Sequence, residues 1–234
     1  MRLRVSVVIP ALNEAESIGR VVASMPWGMI DECIVVDNGS TDGTGDVAAA
    51  AGARVVRSQR GYGAACFAGM KAAVETSEVL VFLDGDGSDV VSDMPKLVGP
   101  IERGEADFVI GSRIRGQREP GSMNFSQVFA AHLIGALVKV MYGFRYTDMG
   151  AFRAIRRESL EKLGMTEMTF GWNLEMQVRA AQMGLRILEV PTDYKCRLAG
   201  ESKVSGNLRA SMKTAWRIFG VLVRTRRQTV KSRQ

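Results

Sequence analysis

The segment VLVFLDGDGSDV at residues 79–90 decides how this chain folds, because within it an apolar run passes abruptly into an acidic loop. Five apolar residues are followed by Asp84, Asp86 and Asp89, which glycine and serine separate. A continuous apolar run of this length is typical of a strand buried on both faces. Carboxylates bunched at a strand end repel one another and stay ionised together beside a cation. The segment is therefore either a cation site or a solvated turn rich in aspartate and glycine.

Strand-like and helix-like segments alternate through the first half of the chain. Apolar strands separated by helical patterns of about 10–15 residues indicate β-α-β units and a mostly parallel sheet covered on both faces. In such α/β folds the ligand lies beyond the carboxyl ends of the strands. The predicted strands are 4–10, 32–37, 54–58, 79–84, 107–112 and 185–194, and long helices are predicted over 125–142 and 173–184.

Composition excludes several classes of protein. Hydrophobic residues make up 46% of the 234 residues and charged residues 24%, which is typical of a globular domain. Three widely separated cysteines argue against a disulfide framework or a zinc site. The first residues turn polar too soon for a signal peptide, and no apolar stretch reaches the ~20 residues that span a bilayer. We therefore expect a cytoplasmic protein.

The positive charge of the chain is concentrated at its C-terminus. The net charge is +6, and nine lysines and arginines but no acidic residue follow Glu201. Because the rest of the chain is close to neutral, the sequence does not predict nucleic-acid binding. Apolar residues at helical spacing over 212–223 predict a basic amphipathic helix and tail over 211–234. This segment either contacts an anionic membrane surface or packs on the domain.

Further motifs accompany the acidic loop in a fixed order. They are VSVVIPALNE (5–14), VVDNGSTDGT (35–44), RGYGAACFAGMKAA (60–73), GSR (111–113), YTDMGAFRAIRR (146–157), GWNLEMQ (171–177) and CRLAGESKVSG (196–206). Together they resemble the family 2 glycosyltransferases of the GT-A fold, and the later motifs look most like the dolichyl- and polyprenyl-phosphate sugar synthases. The resemblance implies an α/β, Rossmann-like GT-A domain over 1–210. Within it, 1–111 would bind a nucleotide sugar and 112–210 the acceptor.

The resemblance also implies a donor site and its metal. Asp84 and Asp86 match the D-x-D motif that holds Mg²⁺ or Mn²⁺ on the diphosphate of a UDP- or GDP-linked sugar. Where the lipid-phosphate synthases often carry a glutamine, this chain has Ser88, so the third ligand is Ser88, Asp89 or water. Asn38 stands where a second aspartate is frequent, which leaves the donor base open. The positions matching the nucleoside site are Pro10, Leu12, Asn13, Glu14 and Asp37, with Gly61 and Gly63 in the turn beside the base and ribose.

The later motifs imply an acceptor site for a phosphate. Arginine offers a forked pair of donors to phosphate, and lysine offers a point charge. Glu175 is either a general base towards a hydroxyl or a structural residue, and Asp148 carries the same alternatives. The matched acceptor-phosphate residues are Arg113, Arg197, Ser202 and Lys203, and the candidate catalytic residues are Asp86, Glu175, Arg197 and Lys203.

The resemblance thus implies a metal-dependent inverting glycosyltransferase that acts on a lipid-linked phosphate, and with the basic tail it predicts a position peripheral to the cytoplasmic face of a membrane. One alternative is a soluble glycosyltransferase that uses Glu175 as base towards a hydroxyl of a small molecule or glycan. An alternative of another class is a non-catalytic nucleotide-binding or peripheral membrane module. A nucleotidyltransferase would place a glycine-rich, basic loop after the first strand, where this chain has PALNE.

Overall fold

Strand β1 (Val5–Ala11) is the buried centre of the first half of the sheet. Strands β2 (Glu32–Asp37) and β4 (Val79–Phe82) pair with it in parallel on either side, and β3 (Arg54–Arg57) continues in parallel beyond β2. The computed structural model describes residues 2–199. In that part of the chain, the alternating strands and helices predicted from the sequence form the parallel sheet that they indicate.

One strand within residues 2–199 breaks the parallel pattern. Strand β6 (Arg153–Arg156) lies between β4 and β5 (Phe108–Ser112) and runs antiparallel to both. Strand β7 (Ile187–Pro191) pairs in parallel with β5. The order of the seven strands is β3-β2-β1-β4-β6-β5-β7. The predicted α/β class is confirmed, and β6 is an addition to the predicted set of strands.

Helices cover both faces of the sheet, and the alternation of side chains along β1 shows how. Val5, Val7 and Ile9 pack into one apolar cluster, whereas Val8 packs into the other, as the two-residue period of a strand requires. The first cluster includes residues of α1 and α4, and the second includes residues of α3, α5, α6 and α7. The helices are α1 (Ala15–Ala23), α2 (Thr44–Ala50), α3 (Tyr62–Ala72), α4 (Met94–Glu102), α5 (Phe125–Tyr142), α6 (Arg157–Leu163) and α7 (Trp172–Gln182).

Close packing brings α3 onto the sheet. A methyl group at Gly69 would lie 2.3 Å from the side chain of Val8, so the helix can approach β1 only with glycine at this position. None of the helices in residues 2–199 has the length and apolarity needed to cross a membrane. The predicted helix and tail over 211–234 lie outside the described residues.

Candidate active site

The acid loop, residues 84–89, follows β4 and is shaped by hydrogen bonds among its own residues. Asp86 accepts bonds from the backbone N–H and the hydroxyl of Ser88, at 2.9 and 2.6 Å. Asp89 accepts one from the backbone N–H of Asp84 at 3.1 Å. Gly87 has a φ of +76°, which glycine adopts without steric cost. The loop therefore holds three carboxyl groups within one short turn.

The electrostatics of the acid loop leave its negative charge poorly compensated. Burial and the charge of Asp86 raise the pKa of Asp84 to about 6. Burial and the charge of Asp84 raise the pKa of Asp89 to about 8. The raised pKa values mean that burial and neighbouring negative charge disfavour the ionised forms more than the nearby arginines favour them. Mg²⁺ or Mn²⁺ fits this arrangement, because the donors are oxygen atoms and the charge that such an ion brings is the one missing.

The two side-chain candidates for the third metal ligand, Asp89 and Ser88, are both bonded within the acid loop. No group of three or more histidine, cysteine or acidic side chains in residues 2–199 is arranged to hold a metal ion. Asp89 is buried and bonded to the backbone of Asp84, and the hydroxyl of Ser88 donates to Asp86. These contacts favour the third alternative, water or a substrate oxygen. Mg²⁺ commonly binds one or two carboxylates and completes its shell in this way.

Arg197 joins the acid loop to the segment that follows β1. Its guanidinium lies 2.9 Å from a carboxylate oxygen of Glu14 and 3.7 Å from one of Asp86. The backbone N–H of Leu198 donates to the carbonyl of Asp86 at 3.0 Å, which fixes this segment against the loop. Three predicted site residues from three separate motifs, Glu14, Asp86 and Arg197, are therefore brought together.

The loops after β1 and β2 are fastened to each other. Asn13 has a φ of +52°, and its backbone N–H donates to the hydroxyl of Ser40 at 3.0 Å. The side-chain oxygen of Asn13 accepts from the backbone N–H of Thr41 at 2.9 Å. Asp37 accepts from the backbone N–H of Ser40 at 2.8 Å. Asn13 and Asp37, both predicted to hold the nucleoside, thus also build the edge of the sheet where it would bind.

The other residues predicted at this edge differ in exposure. Pro10 is buried within β1. Leu12 and Glu14 are partly exposed, and the backbone N–H of Glu14 donates to the hydroxyl of Thr44 at 2.9 Å. Pro10 therefore belongs to the strand, whereas Leu12 and Glu14 remain accessible beyond its end.

Close packing explains why glycine is present at positions 61 and 63, and the sequence alone does not reveal this. A methyl group on Gly61 would lie 2.3 Å from the carbonyl oxygen of Met168, and one on Gly63 would lie 2.3 Å from that of Glu167. The backbone N–H of Gly61 donates to the side chain of Asn38 at 3.0 Å. These glycines therefore admit the brace loop, residues 164–171, against the start of α3. The turn beside the base and ribose that the resemblance implies for these glycines stays a prediction.

Arg113 and Asp148 form a forked ion pair. The guanidinium donates to both carboxylate oxygens at 2.8 Å, and the backbone N–H of Arg113 donates to one of them at 2.9 Å. Burial alone would raise the pKa of Asp148, but the hydrogen bonds and charge of Arg113 lower it below its ordinary value. Arg113 also lies over the ring of Tyr194, 4.9 Å from its centre. These contacts favour Asp148 as an anchor for Arg113 over a catalytic role.

Glu175 is held in a similar way by the brace loop. Its carboxylate accepts bonds from the backbone N–H and hydroxyl of Thr166 at 2.9 and 2.7 Å, and from the backbone N–H of Glu167 at 2.7 Å. Arg179 adds an ion pair at 2.9 Å. Burial would raise the pKa of Glu175, yet these bonds lower it. A carboxylate with a lowered pKa is a weaker base, so the geometry favours the structural alternative for Glu175.

Two residues beside the acids were missed by reasoning from the sequence. The hydroxyl of Tyr62 donates to Asp84 at 3.2 Å, and burial and the charge of Asp84 raise the pKa of Tyr62 well above its ordinary value. Arg153 is completely buried in β6, where its guanidinium donates to the carbonyls of Ala151 and Asn173. Its charge lowers the pKa of Asp84. The position of Tyr62 between the two motif glycines was the available signal.

A cavity of about 230 Å³ opens beside Asp86 and Arg197. The segment after β7 and the turn before α5 form its walls, so it joins the acid loop to the second half of the chain. Its other lining residues are Ser88, Gly121, Ser122, Asn124, Gln127, Tyr194, Lys195 and Cys196. Ser202 and Lys203, predicted to meet the acceptor phosphate, lie outside the described residues.

The family model for glycosyl transferase family 2 matches residues 6–164. An uncharacterised glycosyltransferase of Mycobacterium bovis is 40% identical over 211 residues, which cover 89% of this chain and 93% of that protein. An undecaprenyl-phosphate mannosyltransferase of Micrococcus luteus is 34% identical, with 88% of this chain and 89% of the relative covered.

A similar fold is found in a crystal structure of glucosyl-3-phosphoglycerate synthase from Mycobacterium tuberculosis in complex with Mn²⁺, UDP-glucose and glycerol 3-phosphate. The sequences are 25% identical, the TM-score is 0.71, and the likeness covers 94% of this chain and 79% of that one. The sheet of residues 2–199, the acid loop at the end of β4 and the match over residues 6–164 agree, and the chain belongs to glycosyl transferase family 2.

Proposed function

We propose that this enzyme transfers a sugar from a nucleotide-sugar donor to a lipid-linked phosphate of the polyprenyl type, with inversion at the anomeric carbon. The observation that carries the proposal is the position of Arg197, between Asp86 and Glu14 and on the wall of the 230 Å³ cavity. The guanidinium of Arg197 therefore lies between the acid loop, which would bind the donor, and the cavity, which would bind the acceptor. The undecaprenyl-phosphate mannosyltransferase of Micrococcus luteus supports the choice of acceptor.

Asp84 and Asp86 would hold Mg²⁺ or Mn²⁺, as the Mn²⁺ and UDP-glucose in the related crystal structure support. When bound there, the ion supplies Lewis-acid stabilisation of the departing diphosphate. The chain's own task is to present the two carboxylates together. Ser88 orients Asp86, and Tyr62 orients Asp84.

The proposed reaction forms a bond between an oxygen of the acceptor phosphate and the anomeric carbon. The bond between that carbon and the diphosphate breaks, and the diphosphate leaves with the electron pair. A phosphate acceptor is already ionised near pH 7, since its second pKa is about 6, so the step requires no general base. This agrees with the four contacts that hold Glu175 in the fold.

On this proposal, Arg197, Ser202 and Lys203 meet the acceptor phosphate, and residues 211–234 contact the membrane surface where the lipid resides. Arg113, also predicted there, has its forked donors bound to Asp148. Residues 1–111 serve the donor and residues 112–210 the acceptor. The loops after β1 and β2 hold the nucleoside through Leu12, Asn13, Glu14 and Asp37.

A hydroxyl acceptor is the second candidate, favoured by the related crystal structure that contains glycerol 3-phosphate. Incubation with a panel of UDP- and GDP-sugars and Mn²⁺, with undecaprenyl phosphate or with small hydroxyl acceptors, separates the two. We expect nucleotide release that requires the lipid phosphate. Release that depends on a hydroxyl acceptor and is indifferent to the lipid phosphate would refute the proposed acceptor.

A further inference from the structure

The first acid of the D-x-D motif is held by a side chain from another element. The hydroxyl of Tyr62, the first residue of α3, donates to Asp84 at 3.2 Å. The backbone N–H of Asp84 is bonded to Asp89. A terminal carboxyl group has broad rotational freedom about its last bond, so the bond from Tyr62 selects one orientation of the carboxylate.

The brace loop, residues 164–171, in turn fixes Tyr62. The ring of Phe170 stacks on the ring of Tyr62, with centres 6.3 Å apart and planes 24° apart. On either side of Tyr62 in the sequence, Gly61 and Gly63 admit the loop backbone, and the N–H of Gly63 donates to the carbonyl of Thr169 at 3.2 Å. Tyr62 is therefore held from its ring and from both adjacent backbone positions.

Glu175 completes the connection because it holds the other end of the brace loop. Its carboxylate binds the backbone N–H groups of Thr166 and Glu167, three and two residues before Thr169. The contacts run without a break from Glu175 through the loop and Tyr62 to Asp84. They join α7 to the acid loop although these elements are distant in sequence.

We infer that Tyr62 is a positioning residue for the metal ligand Asp84 and that Glu175, through the brace loop, holds Tyr62 in place. Glu175 then influences the cation site without touching substrate. This inference rests on the proposed function in one respect, namely that Asp84 binds the divalent cation. A tyrosine kept only for packing would make the same contact with Phe170 through its ring and would need no hydroxyl.

The test is the affinity of the full chain for Mn²⁺, measured by electron paramagnetic resonance with and without UDP, so that it does not depend on turnover. Tyr62→Phe keeps the ring and removes the hydroxyl. We expect Mn²⁺ to bind about tenfold more weakly, the size typical of losing a hydrogen bond to a charged group. Unchanged Mn²⁺ affinity would overturn the inference.

A matched control uses another buried tyrosine. Tyr146→Phe removes a hydroxyl that donates to the carbonyl of Gln177 at 2.7 Å, away from the acid loop. We expect lower stability and unchanged Mn²⁺ affinity. If Tyr146→Phe weakens Mn²⁺ binding as much as Tyr62→Phe does, the effect is a general loss of stability and the positioning role is wrong.

A double-mutant cycle tests the role of Glu175. Glu175→Gln should weaken Mn²⁺ binding several-fold. Tyr62→Phe should then reduce the Mn²⁺ affinity of this variant by less than it reduces that of the wild type, because both changes act through the bond from Tyr62 to Asp84. Additive losses would contradict a route through Tyr62. Slow turnover of Glu175→Gln with unchanged Mn²⁺ affinity would return Glu175 to the role of general base.

Phe170→Ala gives a second variant of the brace loop if Glu175→Gln does not fold. Phe170 is 48% exposed, so its truncation removes little core packing. We expect weaker Mn²⁺ binding in this variant too, and unchanged binding would contradict the role of the loop. Wild-type protein that binds no Mn²⁺ would overturn the proposed function itself, whereas normal binding by Tyr62→Phe overturns only the positioning role.

Discussion

The acid loop and the ion-paired cluster of Arg113 and Asp148 contain similar residues and differ in how their charges are balanced. Arg113 binds both oxygens of Asp148 and lowers the pKa of that carboxyl. In the acid loop three carboxyl groups share one short turn, and the pKa of Asp84 is raised to about 6 by burial and by Asp86. Charges that a fold satisfies by itself serve stability, whereas charges left poorly compensated in a cleft indicate a site for a ligand.

The largest effect is expected when the acid loop loses its second carboxylate. Asp86→Ala should reduce sugar transfer by at least about a thousandfold, since a metal ion contributes several kcal/mol to a transition state. The measurement is donor-dependent nucleotide release, with circular dichroism to confirm the fold. Asp46→Ala, which removes an exposed acid from α2, is the control and should remain active. Turnover at the wild-type rate by Asp86→Ala would remove Asp86 from the site.

The ion-paired cluster should respond in stability instead. Asp148→Asn leaves the guanidinium of Arg113 without its forked partner and should lower the free energy of unfolding by about 3–5 kcal/mol at pH 7. The pKa of Asp148 is lowered in the folded protein, so this stabilisation is present above about pH 4 and is lost as the pH falls through the folded pKa. Urea unfolding at pH 7 and pH 3 measures both. A difference between variant and wild type that does not shrink in acid would contradict the ion-pair account.

Asp89→Asn should act in the opposite direction in metal-free protein. The pKa of Asp89 is raised to about 8, so the folded chain holds a proton there that the unfolded chain loses near pH 4, and stability falls as the pH rises between these values. The variant carries no such group and should be more stable than the wild type at pH 8, by several kcal/mol. Thermal unfolding in EDTA from pH 5 to pH 9 tests this. If the stabilities of the two proteins change with pH in parallel, the pKa of Asp89 is not raised in the folded protein.

The smallest effect is expected for an ion pair that lies outside both the acid loop and the ion-paired cluster. Lys162 and Glu158 lie 3.3 Å apart on α6 with side chains 65% and 69% exposed. Lys162→Ala should change the free energy of unfolding by less than about 0.5 kcal/mol, because solvent screens such pairs. Urea unfolding at low and high salt is the measurement. A loss of unfolding free energy above about 1 kcal/mol would mean that solvent exposure does not explain why this pair differs from the buried ion pair.

Sequence reasoning recovered the strands that are apolar throughout and the loops that follow them. It missed β6, because this strand has four residues and one of them, Arg153, is completely buried. A buried arginine contradicts the usual pattern of hydrophobic strands, and the carbonyls that satisfy Arg153 come from residues that only the fold brings near.

The acidic residues of the candidate site could be predicted from the sequence, whereas the residues that position them could not. Asp84, Asp86 and Arg197 fall in short motifs, and the family resemblance that these motifs carry implies that they lie at one site. The roles of Tyr62 and Glu175 depend on how the brace loop crosses the start of α3, which no local pattern encodes. Glycines at 61 and 63 indicate a close approach, but the sequence does not say which segment approaches.

The place of β6 has a consequence for anyone who cuts or recombines this chain. A fragment that stops at residue 111 would keep β4 but lose the strand that covers its outer edge, and an uncovered edge invites aggregation. Residues 1–111 are therefore not a structurally self-contained unit, because β4 needs β6 beside it. A chimera should therefore take β4 and β6 from the same parent protein. Otherwise the side chains that meet where these two strands pair come from different proteins.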